Sequence, residues 1–269
     1  MTTTDRQDFV RALDMERDLL AGAAQRSEPH PLGLLLFDDA RPRVWVHNQL
    51  HVTGPAGDID DLVRTLDEHY GGLEHRRVVV EDEFEGERLA DGFRDRGWEV
   101  DATVYMALRE PRDRDPDASL AAEVSAEEQR AVERETLGEE PFAKDPEVRE
   151  MLVDARAARQ ASVGGCRYIG GLVDGRHVGN TTVYIDGDIA QVEDVATLRA
   201  YRGRGVARAM VSLATDVARD TDAELIWIAA DDNDWPKELY AKLGFRPMGR
   251  IFSFTRVGPE HPSYDPAAR

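Results

Sequence analysis

The sequence predicts an α/β (α+β) protein made of two similar halves, and three observations carry that prediction. Short apolar runs that read as strands alternate along the chain with amphipathic runs of helical spacing. A segment rich in proline and charge, "REPRDRDPDASL" from Arg109 to Leu120, has no apolar periodicity and reads as a linker. The kinds of element that precede it return after it. We therefore expect domains at residues 1–110 and 120–269, joined by residues 111–119.

In order, "RALDMERDLLAGA" has helical spacing, and "LGLLLF" and "PRVWVHNQLHV" read as strands. "DIDDLVRTLDEHY" reads as a helix, "HRRVVVE" as a strand, "GERLADGFRDRGW" as a helix and "EVDATVYMALR" as the strand that closes the first half. Beyond the linker come helices in "SAEEQRAVERETL" and "PEVREMLVDARAARQA", then strands across "CRYIGGLVDGRHVGNTTVYIDGDIAQVEDVAT". A helix from Gly205, the strand "ELIWIAA", the helix "DWPKELYAKLG" and the strand "GRIFSFTRV" complete the chain. The repetition is clearest between "RRVVVEDEFEGERLADGFRDRGWEVDATVYMAL" and "ELIWIAADDNDWPKELYAKLGFRPMGRIFSFTR". Setting Gly97-Trp98 against Gly244-Phe245 places Phe93 opposite Tyr240.

Composition narrows the function classes. A net charge of -19 argues against a general nucleic-acid surface and is compatible with a cationic ligand or a solubilising shell. No apolar run approaches a bilayer span and "MTTTDRQDFVRALDMERD" has no apolar signal core, so a cytoplasmic protein with no membrane partner is expected. One cysteine, Cys166, and the scattered His30, His47, His51, His69, His75, His177 and His261 give no zinc-ligand spacing, so no metal is expected. Cys166 reads as a small strand-edge residue rather than an acyl carrier.

Against that acidic background, residues 202–208 hold two glycines and three arginines at the mouth of a helix. A helix start offers unsatisfied N–H groups and partial positive charge, and glycine lets an anion approach the backbone closely. Val206, Met210, Leu213, Ala214 and Val217 then fit a buried apolar face. Arg202, Arg204 and Arg208 add charge suited to a diphosphate. The run is neither a Walker loop nor a dinucleotide G-x-G-x-x-G pattern.

Arg202-Gly203-Arg204-Gly205-Val206-Ala207 resembles the Arg/Gln-x-x-Gly-x-Gly/Ala signature of the GNAT superfamily of N-acetyltransferases. The ordered Asn233, Tyr240 and Gly244-Phe245 that follow are similar to that family's later run. The resemblance is strong from Ala190 to Phe254. It implies two tandem GNAT-like domains, each a mixed, mostly antiparallel twisted sheet flanked by helices, with splayed central strands in the second that admit acetyl-coenzyme A (acetyl-CoA). It further implies main-chain contacts from Val195 and Thr197 to the pantetheine arm, N–H groups from Gly203 to Arg208 on the pyrophosphate, and an N–H near Val195 or Ala196 on the thioester carbonyl. Asn233 would contact the arm or cap the next helix. Tyr240 is implied as general acid to the coenzyme sulfur. Trp235-Pro236 departs from the small residue usual there.

The acceptor amine must lose a proton before it attacks. Side chains alternate on a strand, so Glu193 is expected to share a face with Val195 and Thr197 and is the preferred general base, acting through water, with a substrate-positioning or plain exposed carboxylate as the alternatives. The expected reaction is acetyl transfer to a primary amine of a small molecule or peptide. A noncatalytic acyl-CoA sensor or interaction module is the alternative.

At the corresponding place the first half has "HVTGPAGDIDDLV", with Pro55 and Asp58, Asp60 and Asp61 where a pyrophosphate would lie, and Phe93 in place of a tyrosine hydroxyl. That half is expected to have lost coenzyme binding. Completing the acceptor site, forming a homodimer surface or stabilising the second half are the roles left open to it, and its removal is expected to leave coenzyme binding measurable.

Overall fold

The computed structural model describes residues 2–258, so His261 lies outside the described residues. Helix α1 (Thr3–Ala23) starts at a capping box: the Thr2 hydroxyl accepts from the Asp5 N–H, and the Asp5 carboxylate accepts from the Thr2 N–H. The first half continues through β1 (Arg26–His30), β2 (Gly33–Phe37), β3 (Gln49–Val52), α2 (Ile59–Tyr70), β4 (His75–Val80), α3 (Glu83–Arg94) and β5 (Glu99–Leu108). The second comprises β6 (Ala121–Glu123), α4 (Ala126–Gly138), α5 (Pro146–Ala161), β7 (Gly165–Val173), β8 (Arg176–Asp186), β9 (Ile189–Thr197), α6 (Val206–Arg219), β10 (Leu225–Asp231), α7 (Pro236–Lys242) and β11 (Phe245–Val257).

The eleven strands among the described residues form one mixed sheet in the order β1-β2-β3-β4-β11-β5-β10-β9-β8-β7-β6. Only β3–β4 and β9–β10 pair in parallel; the other neighbours are antiparallel. The last strand of each half lies in the other half: β11 runs between β4 and β5, and β5 runs between β11 and β10. From β1 to β7 the order is unchanged when each strand is exchanged for its counterpart six places along, which places a pseudo-twofold relation between β5 and β11. The two expected mixed sheets are thus joined at a shared seam into a single sheet.

Alternation along β5 assigns the helices to faces. Val100 and Ala102 join the core under α2 and α3, with Leu62, Leu66, Leu89 and Phe93. Val104 and Met106 join the core under α6, with Met210, Val211 and Ala214. Tyr105 and Ala107 point the opposite way, into a cluster with Phe9, Ala12 and Leu13 of α1. There Tyr105 stacks on Trp227 at 4.8 Å between ring centres.

Several segments, the short strand β6 among them, differ from expectation. The run from Pro42 to Val52 is strand only from Gln49; Trp45–His47 forms a 3-10 turn. The buried Asn48 causes this, because its amide accepts from the Asp38 N–H at 2.8 Å and donates to the carbonyls of Arg41 and Val44, each at 3.0 Å. The polar edge strand β1 was not anticipated, since "RSEPH" has no apolar alternation; it pairs with β2 from Arg26↔Phe37 to His30↔Gly33. The segment read as a linker is fixed to the second half. The N–H groups of Arg109 and Glu110 both donate to Gly244 O, and the Asp113 N–H donates to Lys242 O. Gly244 has φ +98°, and a Cβ there would stand 2.0 Å from Glu110 O, so this crossing needs glycine.

Candidate active site

Strands β9 and β10 pair from Ile189↔Leu225 to Val192↔Ile228 and then part. Beyond that point β9 continues to Thr197 paired only with β8, and β10 continues to Asp231 paired with β5. The result is a gap with a bare edge of β9 along one wall.

At the point of parting β9 bulges. Glu193 stands opposite Thr182 and Ala196 opposite Asn180, so Asp194 and Val195 together oppose Thr181. Asp194 has φ +60°, a conformation aspartate tolerates better than most residues. Its carboxylate accepts from Arg156 Nε at 2.9 Å and Tyr184 Oη at 3.2 Å, while its carbonyl accepts from Asn180 Nδ2 at 2.8 Å. The extra residue breaks the alternation on which the sequence reading relied. By cross-strand partners, Glu193 shares a face with Ala196, and Thr197 lies on the other face with Gly179. The expected alignment of Glu193 with Thr197 is therefore corrected.

Glu193 is half-buried on the face covered by α1, α4 and α5. Desolvation is the largest influence on its carboxyl and pushes it up to about 7; Arg159 opposes that shift, and Asp194 and Glu16 add to it. Tyr240 lies buried in the core under α6, edge-on to Phe245 at 6.3 Å. Burial, then the negative charges of Glu193 and Asp234, push its hydroxyl upward, so it keeps its proton at neutral pH.

After Thr197 the chain turns through Arg199–Tyr201 and reaches α6 by way of Gly203, at φ +76°, and Gly205, at φ +88°. Gly205 occupies the N-cap without a side-chain hydrogen bond, and no acidic residue stands in the first turn. The N–H groups of Val206, Ala207 and Arg208 have no acceptor inside the helix. The space beside them is open: a Cβ on Gly203 would meet nothing within 4 Å, and one on Gly205 only Leu120 Cδ1 at 3.7 Å.

The arginines divide their work. Arg202 Nε donates to Thr197 O at 2.9 Å and bends the loop back onto the end of β9. Arg204 is exposed, its guanidinium 5.2 Å from the centre of the Tyr201 ring. Arg208 is buried and donates to the Asp113 carboxylate at 2.6 Å, so its side chain braces the crossing segment while its N–H belongs to the helix start. Asn233 is exposed, with its N–H bound to Asp231 Oδ1 at 2.7 Å. It does not cap α7, whose N-cap is Trp235 and has no side-chain bond.

The first half has no counterpart to this gap. β3 ends where its pairing with β4 ends, at Val52↔Val80. Six residues lead from Val52 to the cap of α2 at Asp58, against thirteen from Val192 to Gly205. Asp58 caps α2 by accepting from the Asp61 N–H at 2.8 Å, with Asp60 and Asp61 in the first turn. That helix start is already occupied and negative.

Sequence reasoning missed the polar layer beneath Glu193. Glu16 of α1, Arg159 of α5 and Gln191 of β9 meet there, with Glu133 and Arg156 close by. "Gln191-x-Glu193" does carry a same-face signal on β9, but Glu16 and Arg159 sit in helices whose charged residues read as solvated. Cys166 is half-buried, and desolvation pushes its thiol up to about 12, which disfavours an acyl-carrying thiolate. Among the described residues, no group of three His, Cys, Asp or Glu side chains is placed to hold a metal, and no helix is long and apolar enough to cross a membrane.

Residues 128–245 match the model of the acetyltransferase (GNAT) family. They include β9, α6 and β10, together with Tyr240. Among solved structures, a GCN5-related N-acetyltransferase from Kribbella flavida shares 18% identity, with 92% of this chain and 96% of that one covered at a TM-score of 0.62. A functionally unknown conserved protein from Staphylococcus epidermidis shares 13%, covering 84% and 90% at 0.60. A GCN5-related N-acetyltransferase from Sphaerobacter thermophilus shares 17%, covering 76% and 70% at 0.53. At these identities the likeness is one of fold. No curated protein matches the chain. Residues 128–245, within a larger two-part sheet, are thus similar to a GNAT acetyltransferase domain.

Proposed function

We propose that this protein transfers an acetyl group from acetyl-CoA to a primary amine of a small molecule or peptide, by direct attack. The observation that carries the reading is the uncapped, glycine-opened start of α6, reached directly from a strand whose edge is bare after Val192. These residues fit the coenzyme: positive-φ glycines leave an open cradle over unsatisfied N–H groups, and no carboxylate in the first turn repels a diphosphate. Acetyl-CoA supplies an activated thioester.

The chain's own residues do the rest. The β9 edge at Val195, Ala196 and Thr197 offers strand-like hydrogen bonds to an extended arm. Glu193 accepts the amine's proton through water, and a carboxyl pushed up to about 7 is matched to that task near neutral pH. Tyr240 retains a proton to give to the departing sulfur. Asn233 stands at the end of β10 on the approach to α7. In the same reading the two halves are tandem copies, at 1–110 and 120–269, and the first has lost coenzyme binding. The short β3–α2 connection and the Asp58 cap support this. The protein would act in the cytoplasm.

The test is thiol release from acetyl-CoA across a panel of amines, with Glu193→Gln and Tyr240→Phe alongside. Amine-dependent release that both variants lower supports the reading. Tight coenzyme binding with no release above hydrolysis for any amine would instead identify a sensor.

A further inference from the structure

We propose that the N-terminal helix supplies a positioning residue to the site in the second half: Glu16, acting with Arg159 through the Gln191 carboxamide, orients the Glu193 carboxylate. This inference rests on Glu193 being the proton acceptor of the proposed reaction.

The geometry is a closed relay. Arg159 Nη2 donates to Glu16 Oε2 at 2.5 Å and to Gln191 Oε1 at 2.9 Å. Gln191 Nε2 donates to Glu16 Oε2 at 3.1 Å and to Glu193 Oε2 at 2.8 Å. A carboxamide has one accepting and one donating end, and a carboxylate only accepts. Arg159 claims the oxygen of Gln191 and Glu16 claims its nitrogen, so the amide is held with its N–H toward Glu193. A flipped amide would set oxygen against carboxylate. Oε1 of Glu193 takes no part in the relay, and the carboxyl also accepts from the Asp194 N–H.

The relay is also sheltered. Arg159 is 14% exposed and Glu16 16%, and charges this deep are tolerated only with partners. The paired residues come from α1, α5 and β9, so the half without a cradle contributes directly to the half that has one.

Several charges besides Glu16 and Arg159 bear on Glu193. Arg156 lies on α5 and Asp194 on β9 itself, and Glu133 on α4 acts on those two. The hydroxyls of Tyr105 on β5, Tyr184 on β8 and Tyr240 on α7 also lie within electrostatic reach of it. None of these is altered in the variants below.

The test is a carbon-13 NMR titration of the full-length protein labelled at the glutamate carboxyls, with the Glu193 signal identified by its loss in Glu193→Gln. Glu16→Gln removes a like charge and frees Arg159 for Glu193, so the Glu193 acid constant should rise roughly threefold to tenfold. Arg159→Gln removes the cation, so the constant should fall by a similar factor. A merely structural relay would not give opposite shifts. No shift in Glu16→Gln overturns the proposal, whether or not Arg159→Gln folds. So do shifts of the same sign in both. Calorimetric titration with acetyl-CoA on the same samples separates the two ideas: failure of the unaltered protein to bind defeats the acetyltransferase reading, while the carboxyl titration still decides the relay.

Discussion

Glu193 and Tyr240 are held in opposite states by related causes. Desolvation raises both, which leaves the carboxyl titrating near neutrality and the phenol protonated well beyond it. With a responsive amine, kcat/KM should therefore rise with pH through a limb near 7, and Glu193→Gln should abolish that limb. A profile unchanged by the substitution would assign the base elsewhere. Tyr240→Phe should lower kcat by roughly tenfold to a hundredfold or more, the scale of acid catalysis, and change coenzyme affinity little. Equal loss of binding would sink the general-acid role. Glu133 gives a stability test. It is fully buried, and desolvation pushes its carboxyl from the ordinary 4.5 up to about 7. Between those values the folded state holds a proton that the unfolded chain has released, so stability falls as pH rises through that window. Glu133→Gln should remove this loss, raising stability by about 1–3 kcal/mol at pH 8 and much less at pH 4.5. Thermal unfolding at the two pH values measures the difference.

At the scale of elements, the start of α6 was legible because glycine and arginine precede a strong 3.6-residue pattern, and local chemistry settles what such a start offers. The bulge in β9 was not. Its determinants are Arg156, from a helix 38 residues earlier, and Tyr184 on the neighbouring strand, and period-two reasoning sees neither. Asn48 did the same to the run before β3, where one buried amide replaced the seven residues Pro42–Asn48 of apparent strand with turns. Gly205→Ala should cost about 1 kcal/mol or more, because the left-handed φ penalises a Cβ even where the surrounding space is open. A lowered Tm with weakened coenzyme binding is the expected result.

Across the whole molecule, the repeat of strand, helix, glycine and aromatic was readable from the sequence, and the sheet shows the same plan about the β5–β11 seam. The exchange of last strands was not readable, because no local pattern records which neighbour a strand chooses. It changes one expectation. Removing residues 1–110 would take β5 from between β10 and β11 and leave ten residue pairs of β11 without a partner, so coenzyme binding is not expected to survive the cut. The isolated second half should be insoluble or lack a cooperative transition by circular dichroism. The intact chain should unfold in one transition. The most direct test of the central claim, a single coenzyme cradle at the mouth of α6, is calorimetric titration of the full chain and its Gly205→Glu variant with acetyl-CoA. One site per chain, lost in a variant that remains folded, is the predicted result. No binding, two sites per chain, or binding unaffected by Gly205→Glu would contradict it.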